Sequence, residues 1–332
     1  MSYVSKSARK AAITLAAVAS AAMVQTSHAA ITSLVSFGDS LSDSGNVHAT
    51  LGNFVAPYAG LNSNGPVWVG HLSESLGLGA HTGSQTGGTA HGWAGARAAE
   101  ASFLVDPDVF AVGHPGIPNV PVQSQVTAYL AANNGAADPN TLYTVWGGAN
   151  DALYAAATFD YAAVPQAASA IASIADQLMD AGATSVLIMN LPNIGLTPRQ
   201  NVDSAAAAGG DLVSNSFNNA LTASVNAIAD GRDIVIHDAY TWTGALVASG
   251  PADGLNVVDM CLNAAAETLC SDPENYMWWD EIHPTTAGHA LLAADVLNTV
   301  NSLDVAAVPV PAAAWLFLSA LVGVGGLKKA RK

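Results

Sequence analysis

Between residues 31 and 327 this 332-residue chain has no lysine and only three arginines, Arg97, Arg199 and Arg232. The other seven basic residues sit at its two ends. Three cations against all 25 aspartates and glutamates leave that stretch at a formal charge of −22. Phosphate backbones are bound by clustered cations, so nucleic acid is excluded as a partner. Cysteine is nearly absent too, with only Cys261 and Cys270. Two sulfurs without further partners at ligand spacing make a poor metal site, and no metal or organic cofactor is implied. In an exported chain the pair reads as one disulfide closing a short loop, two buried thiols being the alternative. Also missing is any G-x-S-x-G stretch. That disfavours the common α/β-hydrolase fold, whose nucleophile sits on such an elbow. There is no internal repeat.

What is present begins with ample core material, 51% hydrophobic residues. Residues 1–29 place Lys6, Arg9 and Lys10 before the apolar run Ala11 to Val24, followed by Ser27-His28-Ala29. This order reads as a secretory signal peptide. Residues 305–332 are apolar up to the basic cluster Lys328, Lys329, Arg331 and Lys332. An uncharged span followed by cations suits a membrane segment held on the cytoplasmic side. Pro309 and Pro311 place its helix at 312–327. The run "VPVPAAAWLFLSALVGVGGLKKARK" resembles the PEP-CTERM sorting signal of Gram-negative bacteria, in its Val-Pro-x-Pro-Ala form. That resemblance implies an exosortase as partner, a transient anchor in the inner membrane, and delivery to the cell surface or its extracellular matrix. An ordinary C-terminal anchor is the plainer alternative.

The stretch 31–304 reads as one domain. Ile31 to Phe37, Leu142 to Trp146, Ser185 to Met189 and Ile234 to Ile236 are short apolar strands. Between them, Pro165 to Ala181 and Leu212 to Ala229 carry apolar residues at helical spacing, with Asp211 expected to cap the second. Asp106 to Pro121 and "SAAAAGGD", Ser204 to Asp211, read as loops. Strands alternating with helices predict a parallel, doubly wound sheet, with ligands outside the carboxyl ends of the strands.

At that edge the chain places "VSFGDSLSDSGN", Val35 to Asn46, a cluster of small polar residues directly behind the first strand. Ser40 would become a nucleophile only with a base to take its proton. Of nine histidines, His283 has the best context. "WWDEIHPTTAGH" sets Asp280 three residues before it, able to orient its imidazole and stabilise the charge it gains. Glu281 is the alternative partner. An oxyanion needs N–H donors; "TVWGGANDALY" offers Asn150, or else a helix cap, and "HGWAGARAA" offers Gly95.

Taken together, these blocks resemble the GDSL-type serine esterases, also called SGNH hydrolases. "FGDSLSDSGN" is similar to their first block with Ser40 as nucleophile, and "WAGARA" to the second with Gly95 in the oxyanion hole, Gly92 remaining open. "WGGAND" supplies Asn150, and "DEIHPT" supplies Asp280 and His283. "NLPNIGLTP", Asn190 to Pro198, is similar to a further family segment. The resemblance implies a flavodoxin-like three-layer α/β/α fold with a central parallel sheet. It also implies cleavage of carboxylic esters through an acyl-enzyme, the Ser40 N–H joining Gly95 and Asn150 at the oxyanion. The substrate is an acyl ester: a lipid, a small ester or an acylated polysaccharide. Block spacing is similar to the lipase/esterase branch, whereas a matrix-directed tail favours polysaccharide O-deacetylation; acyl transfer and a non-catalytic matrix protein are the other readings. His237 and His289 read as structural, Arg97 as half of an ion pair or a contact for an anionic substrate group, and Trp278 and Trp279 as acyl-pocket or loop-packing residues.

Overall fold

The four apolar runs become four parallel strands, β1 (Ser33–Gly38), β2 (Thr141–Trp146), β3 (Ser185–Met189) and β4 (Ile234–His237), side by side in that order. The computed structural model describes residues 31–51, 60–100, 120–229, 231–263 and 268–303. The expected signal segment 1–29, the sorting tail with its 312–327 span, and most of the expected Asp106–Pro121 loop lie outside these residues. Among the described residues no helix is long and apolar enough to cross a membrane.

A single parallel bridge between Ser36 and Ala90 sets the 89–91 segment on the outer side of β1. His91 N–H donates to the Ser36 carbonyl at 2.7 Å. Counting that segment, the order along the sheet is 2-1-3-4-5, the flavodoxin-like arrangement.

Alternation along each strand builds a core on both faces. Val35, Phe37, Tyr143, Val145, Val186 and Ile188 face one way. They pack against α3 (Val122–Ala132), α5 (Ala163–Asp180) and α6 (Ser204–Ile228). Leu34, Leu142, Trp146, Leu187 and Met189 face the other, under α2 (Trp68–Ser75) and α8 (Thr286–Ser302). A sheet covered on both faces has no polar stripe, which is why the strands are continuous apolar runs in the sequence. The remaining helices are α1 (Asn46–Leu51), α4 (Ala149–Thr158) and α7 (Ala239–Ser249). Short strands β5 (Asn256–Met260), β6 (Leu262–Asn263), β7 (Thr268–Leu269) and β8 (Tyr276–Trp278) lie between α7 and α8.

One expectation is corrected. "SAAAAGGD" is not a loop, and Asp211 is not a cap: α6 starts at Ser204, and Asp203 caps it by accepting from the N–H groups of Ala205 and Ala206 at 2.8 and 2.9 Å. Four consecutive alanines favour helix strongly enough to carry two glycines. Gly210 is also a packing requirement. A Cβ there would stand 2.6 Å from the Gly195 nitrogen, so the missing side chain lets α6 close on the 3-10 turn Ile194–Leu196.

Candidate active site

Each strand end contributes to one crevice. β1 runs into Asp39 and Ser40, and β2 into Gly147, Gly148 and the first turn of α4 with Asn150. Gly148 has φ +109, and a Cβ on it would lie 2.3 Å from the Phe217 ring, so only glycine lets the chain turn here against α6. β8 leads to Asp280 and His283, and α8 starts directly behind them.

Three side chains form a relay. Ser40 Oγ is 2.9 Å from His283 Nε2, and His283 Nδ1 is 2.8 Å from Asp280 Oδ2. Asp280 also shapes the turn that holds them, because its Oδ1 accepts the N–H groups of Ile282 and His283 at 2.9 and 2.8 Å. Trp279 N–H donates to the His283 carbonyl at 2.7 Å, closing the turn. Burial alone would push the Asp280 carboxyl up, but His283 and the two turn N–H groups hold it down at about 2. Burial likewise disfavours charge on His283. The adjacent Asp280 carboxylate outweighs it, and the imidazole pKa is raised above its ordinary value. Such a ring accepts a proton readily and has a carboxylate in place to stabilise it once charged. Glu281, the alternative partner, points elsewhere and pairs with Arg199 at 3.0 Å on the surface.

Of the donors implied for an oxyanion, Asn150 lines the same cavity as Ser40 and His283. Asn150 is buried, and its Nδ2 donates to the Ala96 carbonyl at 2.9 Å. Its side chain does not cap α4, whose N-cap is Gly148. Gly95 is buried with φ +80. Gly92, by contrast, is packed against the main chain, a Cβ there meeting the Ser42 carbonyl oxygen at 2.5 Å.

Two residues that the sequence marks only as polar turn lock these blocks together. Asp43 accepts from Gly45, Asn46 and Val47 at the start of α1 and also from Ala94 N–H at 3.1 Å, next to Gly95. Asn46 Nδ2 donates to the carbonyls of Ala90 and Gly92, both at 2.8 Å. Asp39 is buried with Oδ1 on the Leu41 N–H at 3.0 Å, while its Oδ2 has no partner among the described residues. Burial pushes its pKa up to about 7. Arg97 is not directed at substrate: it makes a buried pair with Asp151 at 3.1 Å and lies over the Tyr154 ring. His237 is tied to Thr299 at 2.8 Å behind the sheet, and His289 is fully buried in α8.

The crevice is narrow, a cavity of about 70 Å³ walled largely by apolar groups such as Trp146, Leu153, Ile194, Trp242, Met277 and Trp278. Trp278 therefore lines it, with its Nε1 donating to the Val257 carbonyl at 2.9 Å, whereas Trp279 packs with Cys261 and Leu262. Cys261 and Cys270 are joined as a disulfide across the β6–β7 hairpin. Pro192, Ile194 and Thr197 bring the "NLPNIGLTP" segment to the wall. Among the described residues no cluster of three His, Cys, Asp or Glu side chains is placed to hold a metal ion.

Residues 34–296 match the family model described as GDSL-like Lipase/Acylhydrolase. The thermolabile hemolysin of Vibrio parahaemolyticus is 29% identical over 301 residues, covering 82% of this chain and 65% of that protein. The phosphatidylcholine-sterol acyltransferase of Aeromonas hydrophila is 23% identical over 328 residues, covering 83% of this chain and 92% of that one. The chain thus spans just under two thirds of the hemolysin's length. Among solved structures, the acetylxylan esterase Axe2 of Geobacillus stearothermophilus aligns over 83% of this chain and 96% of its own, with 13% identity and a TM-score of 0.43.

Proposed function

The chain belongs to the GDSL-like lipase/acylhydrolase family, and we propose that it hydrolyses carboxylic esters with Ser40 as nucleophile, His283 as general base and acid, and Asp280 as the group that orients and stabilises His283. The observation that carries this reading is the continuous relay from Ser40 Oγ through His283 to Asp280, at 2.9 and 2.8 Å.

In the first step Ser40 Oγ bonds to the ester carbonyl carbon while its proton passes to His283 Nε2. The carbonyl oxygen becomes an oxyanion. It is held by the N–H groups of Ser40 and Gly95 and by the Asn150 amide, whose Nδ2 carries a second hydrogen besides the one given to Ala96. When the tetrahedral intermediate collapses, the carbon–oxygen bond to the leaving alcohol breaks and His283 returns the proton to that oxygen. Water then attacks the acyl-enzyme by the same route, releasing acid and restoring Ser40. No step calls for a metal.

Apolar walls around Ser40 favour an aliphatic acyl ester over a heavily hydroxylated one. Transfer of the acyl group to an alcohol other than water is the second reading, supported by the similarity to an acyltransferase along 92% of that relative. We further propose export by the 1–29 segment, and sorting of the 305–332 tail by an exosortase-type enzyme to the surface of a Gram-negative cell. The direct test is hydrolysis of p-nitrophenyl esters from acetate to palmitate, with an acetylated polysaccharide alongside. Ser40→Ala should lower kcat by several orders of magnitude. A variant as active as the parent refutes the assignment.

A further inference from the structure

Leu153 and Ile194 each wall two hollows. One is the cavity at Ser40; the other, of about 450 Å³, lies between α4, the start of α5, the Ile194–Leu196 turn and the first half of α6. The Ser40 cavity, at about 70 Å³, has room for a few water molecules or a short acyl group. The second hollow has the volume of an ordinary small-molecule site. Leu153 and Ile194 are the two residues that both linings share.

The lining of the second hollow excludes most ligand classes. None of its residues is charged, although the whole chain carries 25 carboxylates. Its polar side chains are few, Tyr161, Gln200 and Ser216, too few to satisfy a sugar or an ion. Large apolar side chains stay in water at its edge: Leu212 is 69% exposed and Tyr161 52%. Phe159, two residues before Tyr161, is 80% exposed and holds a left-handed backbone at φ +60. Val202, two residues after Gln200, is 72% exposed. Scattered exposed hydrophobics need no explanation, but a concentration beside one uncharged hollow marks a binding surface.

Gly209 adds an independent observation. It lies within α6 and lines the hollow, its φ is ordinary, and a Cβ would meet nothing within 4 Å. Neither backbone strain nor packing demands glycine there, in contrast to Gly210 beside it, yet glycine is the costliest residue in a helix interior after proline. Its missing side chain leaves the space in front of it free.

We propose that this hollow is a subsite for a hydrocarbon chain of the ester substrate, the part that outgrows the Ser40 cavity, and that Gly209 sets how much chain it accepts. The subsite rests on the reading of Ser40 as an ester-hydrolysing nucleophile. The chain is supplied by either side of the scissile ester, and the test separates the two.

The full-length protein and its Gly209→Leu variant are compared on p-nitrophenyl acetate, p-nitrophenyl decanoate and decyl acetate, each below the concentration at which it aggregates. Leucine is a good helix former and meets no neighbour at its Cβ, so the variant should melt no lower than the parent. The expected result is a fall of tenfold or more in kcat/KM for one long ester relative to p-nitrophenyl acetate, carried mainly by KM, with Gly209→Ala intermediate. A fall on decanoate places the acyl chain in the hollow, and a fall on decyl acetate places the alcohol there. Unchanged ratios for both long esters overturn the subsite, as does a change in oligomeric state with the chain-length profile intact, which would make the hollow a contact between copies. If the parent hydrolyses none of the three esters, the ester-hydrolase reading falls and the subsite with it.

Discussion

Asp39→Asn tests the buried carboxyl next to Ser40. Burial pushes this group's pKa up to about 7 in the folded protein, and the Leu41 N–H and the nearby His283 only partly offset it. In the unfolded chain it ionises near pH 3.9. Between those values the folded state binds more protons than the unfolded state, so stability falls as pH rises, the reverse of the behaviour of an ion-paired carboxylate. Integrated from pH 5 to pH 8, this one group removes about 2–3 kcal/mol. Asparagine keeps an oxygen for the Leu41 N–H and cannot ionise. Its amide hydrogens are new buried donors that cost about 1–3 kcal/mol at every pH. The variant should therefore be less stable than the parent at pH 5 and should recover about 2–3 kcal/mol against it by pH 8. Urea unfolding of both proteins at the two pH values measures that difference of differences. A constant gap between parent and variant would refute the burial argument.

Asn150→Ala should lower kcat by roughly 10²–10³ with little change in KM, since its amide acts mainly on the transition state; a variant that melts early but keeps its specific activity would make Asn150 a scaffold residue only. The disulfide joins cysteines nine positions apart in sequence, a loop for which chain-entropy models give about 2–3 kcal/mol. Cys261 N–H donates to the Trp278 carbonyl and Leu262 N–H to that of Trp279, directly before Asp280. The double Cys→Ser variant should thus lose activity at temperatures where far-ultraviolet dichroism still reports a folded sheet, and coincident loss of both signals would refute a local role. Gly210→Ala should destabilise by about 1–3 kcal/mol through contact with the Gly195 backbone, while Gly209→Ala should stabilise by up to about 1 kcal/mol. Thermal melts that fail to separate the neighbouring glycines would contradict the close approach of α6.

What the sequence reveals and what it hides divide along a physical line. Strands buried on both faces must be apolar throughout, so β1 to β4 are legible as runs, each within a residue or two of its place. Ser40, Asn150, Asp280 and His283 are legible because the proposed chemistry calls for particular side chains, and Ser40 and Asp280 each stand two residues beyond a strand. The groups that hold these blocks in register leave no such trace. Asp43 accepts from the main-chain N–H of Ala94, and Asn46 donates to the carbonyls of Ala90 and Gly92, more than 40 residues away. Any residue offers a main-chain N–H or carbonyl, so the receiving end of such a bond carries no signature. The start of α6 is hidden for a related reason. Glycine usually signals a break, and Gly210 is inside a helix only because Gly195, distant in sequence, needs the space. Gly209 has no neighbour that requires it, and its meaning emerges only when the hollow in front of it is seen to share two walls with the Ser40 cavity.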